Sequence, residues 1–197
     1  MIGKKFNYGW VIVGYGVLCM LLLHYGTVGS QAIFLLPVTQ DLGVSTTTLT
    51  MASTYGTIVS MIVTPWAGKL MDKKSIRRLM FFGILGTGLT MVAQSYVTSV
   101  YTYYAIILVR TALNPFALMM PFAALAARWF TKENRSFATS IIFVGISLGG
   151  VLLSNPLAAL IETVGWRLTY RYYGLAAVVL LSPLTPVSYT HLRAHET

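Results

Sequence analysis

Carboxylates are scarce here: the 197 residues include only 5 Asp and Glu, and none falls inside a long apolar run. Asp41, Asp72 and Glu162 stand at the ends of such runs or between them. That placement excludes a carboxylate proton relay within the membrane and the paired aspartates of intramembrane proteolysis. H-E-x-x-H and G-x-x-x-x-G-K are also missing, which argues against a membrane metalloprotease and an ATP-driven pump. The single cysteine, Cys19, gives neither a disulfide framework nor zinc spacing. No metal site, cofactor or catalytic constellation is expected. Charged residues make up 10% of the chain against 56% hydrophobic, with mean hydropathy +0.70, too little polar surface for a protein surrounded by water. A soluble enzyme is excluded.

The apolar residues instead form six segments, near 9–37, 46–68, 76–95, 99–127, 136–161 and 167–185. Each is long enough to cross roughly 30 Å of hydrocarbon as a helix. Their continuity, without period-two alternation, favours helices over barrel strands. Ser45 is placed to cap the second helix. The amino terminus has the basic residues of a signal peptide, but the apolar run goes on too long and lacks a cleavage site, so it is expected to stay as the first helix. The net charge of +9 raises the question of nucleic acid, yet the cations sit at helix ends rather than on one exposed face, so none is expected as a partner. Lys4, Lys5, Lys69, Lys73, Lys74, Arg77, Arg78, Arg128, Lys132 and Arg135 lie on one side of the segments; Arg167 and Arg171 lie on the other. Ten against two makes the first side cytoplasmic, with the amino terminus there. The expectation is an all-α, multi-pass protein of the plasma membrane.

Arg110 is the most informative residue. It falls near the middle of the fourth segment, where a cation is costly unless it meets water, a partner or an anionic ligand. Asn114 at i+4 and Tyr103 at i−7 share its face, and Pro115 and Pro121 loosen the helix nearby. His24, Thr27 and Gln31 give the first helix a second polar face at spacings of three and four. Arg110, Asn114, His24 and Gln31 are therefore the candidate substrate-binding residues. Thr50, Ser53, Thr57, Ser60 and Thr64 form a hydroxyl stripe on the second helix, expected to serve close helix packing. Gly145 and Gly149 form G-x-x-x-G on the fifth helix, also a packing signal, with a kink expected near Pro156.

Between the second and third helices, Gly68-Lys69-Leu70-Met71-Asp72-Lys73-Lys74-Ser75-Ile76-Arg77-Arg78 resembles the G-x-x-x-D-R-x-G-x-R-R signature of the major facilitator superfamily. Lys73 stands for the usual Arg and Ser75 for the usual Gly. The resemblance extends through Tyr8-Gly9-Trp10, Phe34 to Pro37, Asp41-Leu42-Gly43, Arg110, Arg128-Trp129-Phe130, Asn134-Arg135 and Gly165-Trp166-Arg167. The R-W-F and G-W-R pieces look most like its monocarboxylate-transporter and oxalate:formate-antiporter branch. Asn114-Pro115 stands where the helix 4 pattern usually has Gly. The resemblance implies a six-transmembrane-helix bundle that is the amino-terminal half of a twelve-helix, alternating-access transporter, with helices 1 and 4 lining the central cavity. It also implies a gating loop of Gly68, Asp72, Lys73, Arg77 and Arg78 that contacts the other half. The expected partners are the bilayer, a small solute and that carboxy-terminal half.

Residues 187–197, V-S-Y-T-H-L-R-A-H-E-T, break the apolar pattern and resemble the one-frame translation of a common transposase sequencing adapter, with Pro186 also fitting. The expected division is therefore a truncated transporter half, 1–185, and an adapter-derived tail, 186–197. The favoured function is secondary active transport of a small organic anion such as a monocarboxylate. The alternative is a complete six-helix channel or assembly subunit.

Overall fold

The computed structural model describes residues 9–183, which are helical throughout apart from short links. Lys4, Lys5, Tyr8 and the 186–197 tail lie outside the described residues. Helix α1 spans Gly9–Leu42, α2 Thr46–Lys73, α3 Ile76–Gln94 and α4 Val100–Trp129. The last stretch, Lys132–Leu181, breaks at Gly165, whose φ of 83° and ψ of 160° lie outside any helix. Glycine without a Cβ tolerates that conformation, and the chain reverses there to give α5, 132–164, and α6, 166–181.

The links are short and their chemistry is local. Gly43 ends α1 in the left-handed region, φ 64°, with its N–H bonded to the Thr39 carbonyl. Ser45 caps α2 by accepting from the Thr48 N–H at 3.2 Å. Ser99 and Thr102 form a reciprocal capping box at the start of α4. Between α2 and α3, Lys74 and Ser75 are both extended with negative φ, so the link needs no glycine at Ser75.

Contacts fix the up-and-down order. The Tyr15 hydroxyl donates to the Leu181 carbonyl at one end of the bundle, while Asp41 pairs with Arg167 at the other, so α1 and α6 run antiparallel. A Cβ added at Gly145 would lie 2.4 Å from the Val17 carbonyl oxygen, and one at Gly149 2.7 Å from that of Leu21. Backbone contact between α5 and α1 therefore depends on these two glycines. Gly174 meets Val92 and the Gly88 carbonyl, joining α6 to α3; Gly83 meets the Phe116 backbone, joining α3 to α4; Gly56 meets Thr111, joining α2 to α4. One cluster around Met20, Met80, Phe122 and Ile142 fills the end that carries the basic links. A second, around Phe34, Leu49, Ile107, Trp166 and Tyr170, fills the opposite half.

Much large apolar surface faces outward, including Met61, Ile62, Val151 and Val179, as suits a bundle surrounded by lipid. Four helical stretches, Gly9–Leu42, Ile76–Gln94, Val100–Trp129 and Lys132–Leu181, are long and apolar enough to cross a membrane. Helix α2 is long enough at 28 residues, but its hydroxyl stripe makes it less apolar. That stripe departs from the packing role expected of it. Thr50 and Thr57 are exposed, and Thr50, Thr57 and Thr64 bond back to carbonyls of their own helix. Leu49, Ala52 and Gly56 make the packed face instead. Pro156 lies inside α5 and is exposed.

Candidate functional site

Arg110 sits on the fully packed side of α4, 1% exposed, in the half of the bundle built around Trp166 and Tyr170. Its Nη1 has no hydrogen-bond partner, and neither has the buried Oδ1 of Asn114 one turn on. Tyr170 from α6 and Tyr103, two turns earlier on α4, both lie within electrostatic reach of the guanidinium. Tyr170 is itself held by stacking on Phe34 of α1, ring centroids 3.8 Å apart, and by an edge contact with Trp166 at 6.2 Å. Three helices thus place one cation against an aromatic wall, with donor capacity unused.

The helix breaks about two turns beyond Arg110, toward the basic end. Pro115 and Pro121 cannot donate backbone hydrogen bonds, and the break in α4 falls between them at Leu118, φ −107° and ψ −122°.

A cavity of about 310 Å³ opens beside this wall, lined by residues of α1, α2 and α4 that include Gln31, Leu35, Thr50, Ser53 and Tyr103. Gln31 uses both ends of its amide: Nε2 donates to the Thr27 carbonyl at 3.0 Å, and Oε1 accepts from the Ser53 hydroxyl at 3.1 Å. Of the four expected substrate-binding residues, Gln31 lines this cavity. Arg110 and Asn114 lie about two and three turns past Tyr103 on α4, outside the lining, and His24, also outside it, is half-buried with its Nδ1 unpartnered.

The separation of His24 corrects the expected polar face of α1. Met20–Gly29 winds as a π-helix, with the Ser30 N–H reaching the Tyr25 carbonyl five residues back at 2.8 Å. A π-helix puts more residues in each turn, so His24 and Gln31, seven apart, no longer stack as they would in an α-helix. Thr27 is buried and bonds to the carbonyls of Leu23 and His24.

The link after α2 leaves Asp72, Lys73 and Arg78 exposed, Arg77 half-buried, and Gly68 packed toward Met120 of α4. At the opposite end, sequence reasoning missed a clasp. Arg167 pairs with Asp41, donates to the Val97 carbonyl at 2.8 Å, and lies over the Trp166 ring at 4.4 Å, tying α1, the α3–α4 link and α6 together. Arg171 lies over the Tyr96 ring at 4.5 Å. The available signal was the exception itself: two cations stand on the sparsely charged side, and both have local partners.

A family profile described as the Major Facilitator Superfamily matches residues 17–196. Among curated proteins, the chain is similar to MFS-type transporter 1 of Ophiocordyceps sp. (strain BCC 1869), 26% identical over 186 residues, which is 91% of this chain and 40% of that protein. It is also similar to MFS-type transporter hasB of Aspergillus fumigatus (strain CBS 144.89 / FGSC A1163 / CEA10), 31% identical over 120 residues, 59% of this chain and 26% of that protein. The chain spans well under half the length of either relative. The profile match covers most of the sequence, and the all-helical bundle is consistent with half of such a fold: this chain is a multi-pass membrane protein that belongs to the Major Facilitator Superfamily, whose members are transporters and not enzymes.

Proposed function

We propose that this chain forms the amino-terminal half of an alternating-access secondary transporter for a small organic anion, a monocarboxylate being the leading candidate. One observation carries the reading: a guanidinium buried mid-span, with Nη1 unpartnered, while Asp41, Asp72, Glu133 and Glu162 all stand in the terminal turns of their helices. A buried cation in a membrane needs an anion or a strong dipole to offset its lost hydration. Arginine offers a planar fork that a carboxylate can accept in two bonds, and the free Oδ1 of Asn114 can accept a hydrogen bond from a hydroxyl beside it. Gln31 and Ser53 add neutral hydrogen-bonding groups on the neighbouring cavity. The protein works in the plasma membrane with its amino terminus cytoplasmic, a placement supported by the crowding of cations on one side. Asp72 latches one facing state against the other half.

Counterflow tests the substrate class. Vesicles holding the full-length protein and loaded with unlabelled lactate or a related short carboxylate should accumulate the labelled anion transiently, while neutral sugars should not. Accumulation of neutral solutes alone contradicts the reading. Repeating the assay with and without a pH gradient separates proton coupling, which would use His24 or the other half, from anion exchange.

Residues 187–197 we read as adapter-derived, on the strength of the eleven-residue match. The family match runs on to residue 196, so the source DNA decides. Amplification from independently prepared genomic DNA should yield a different sequence after about residue 185; recovering V-S-Y-T-H-L-R-A-H-E-T would refute this.

A further inference from the structure

A second cavity, about 510 Å³ in volume, lies at the basic end of the bundle and is lined by Lys73, Lys74, Ser75, Arg78, Leu79 and Phe82. Three of the six are cations and none is a carboxylate. Ser75 makes no capping bond with its hydroxyl, so that group is free to donate into the cavity. The nearest acid in sequence, Asp72, is exposed and outside the lining, leaving an excess of positive charge.

The cavity continues into an apolar track. Phe82 follows Arg78 by four residues on α3 and is 65% exposed; Leu85 and Leu89 continue the same face, with Leu89 also exposed. In a helix that crosses the membrane this face runs from the aqueous edge, where the cations stand, down into the hydrocarbon. A soluble phosphate would use the cations and leave the track idle. A phospholipid uses both: its phosphate meets the Lys and Arg head groups, and its acyl chain lies along Phe82, Leu85 and Leu89.

We propose that this cavity is a binding site for the phosphate headgroup of an anionic membrane phospholipid, seated against the link between α2 and α3. The proposal rests on the chain's place in the bilayer and not on its substrate, so the two readings fail separately.

The test counts lipid retained by the purified full-length protein, by native mass spectrometry, with phosphatidylglycerol and phosphatidylcholine as probes and inorganic phosphate as competitor. Wild-type protein should retain phosphatidylglycerol in preference. Each of Lys73→Gln, Lys74→Gln and Arg78→Gln should reduce that preference about fivefold, the scale of one cation near an anionic surface. Phe82→Ser should weaken retention with every charge intact. Lys69→Gln, an exposed cation nearby but outside the lining, should change nothing. These side chains are exposed, so the variants should fold, and retention of phosphatidylcholine provides the check. A triple variant that keeps the wild-type preference overturns the site, and is the result expected where the carboxy-terminal half fills the cavity. Displacement of the lipid by inorganic phosphate together with an inert Phe82→Ser overturns the lipid assignment in favour of a soluble phosphate.

Discussion

At the scale of single residues, space and charge decide what each side chain can do. Gly145 and Gly14 are both helical glycines, yet a Cβ at Gly145 would come within 2.4 Å of the Val17 carbonyl oxygen while one at Gly14 would meet nothing within 4 Å. Gly145→Ala should therefore cost about 1–3 kcal/mol through overpacking. Gly14→Ala should be neutral or gain up to about 1 kcal/mol from helix propensity. Thermal unfolding of the two variants of the full-length protein in detergent measures the difference, and equal melting temperatures would show that α5 does not rest on α1 in this way. The G-x-x-x-G spacing was legible because contact between helices leaves a compositional mark. Arg110 was legible because a mid-span cation is improbable by chance. Its setting was not: the Tyr170–Phe34 stack joins residues 136 positions apart, and no local pattern announces such a pair.

Elements follow from shorter-range rules, and most were readable. The six segments drawn from the sequence fall on the six helices, because unbroken apolar runs and cap residues such as Ser45 act locally. Two features escaped. The π-helical winding of Met20–Gly29 changes which side chains share a face, and hydrophobic periodicity drawn for an α-helix cannot register it. The hydroxyl stripe of α2 was read as a packing face, although serine and threonine can satisfy their hydroxyls on their own helix and remain exposed, as Thr50 and Thr57 do. The link between α2 and α3 carries the gating expectation. Asp72→Asn removes one charge from an exposed position and should leave folding and substrate affinity unchanged. Exchange between the two facing states should slow, lowering turnover by about tenfold, the equivalent of one charge-assisted hydrogen bond. Equilibrium binding and transport measured on the same preparation separate these outcomes; full turnover would remove the latch role.

For the whole molecule, the antiparallel order puts the cation-rich links at one end and the Asp41–Arg167 clasp at the other. Orientation can be read with single cysteines, since the native Cys19 is fully buried and silent to aqueous reagents. In intact cells and a background free of other reactive cysteines, an impermeant maleimide should label Thr98→Cys and spare Lys74→Cys. Labelling in the reverse pattern would invert the topology.

In the proposed transporter the buried guanidinium of Arg110 holds the transported anion. This role is tested most directly by carboxylate counterflow in vesicles carrying full-length wild type, Arg110→Lys or Arg110→Ala at matched protein density. Uptake by Arg110→Ala should fall about tenfold or more, the scale of a hydrogen bond to a charged group. Arg110→Lys should fall between that variant and wild type, because lysine keeps the charge and loses the fork. Arg110→Ala protein with wild-type affinity and rate for the identified carboxylate would contradict that role.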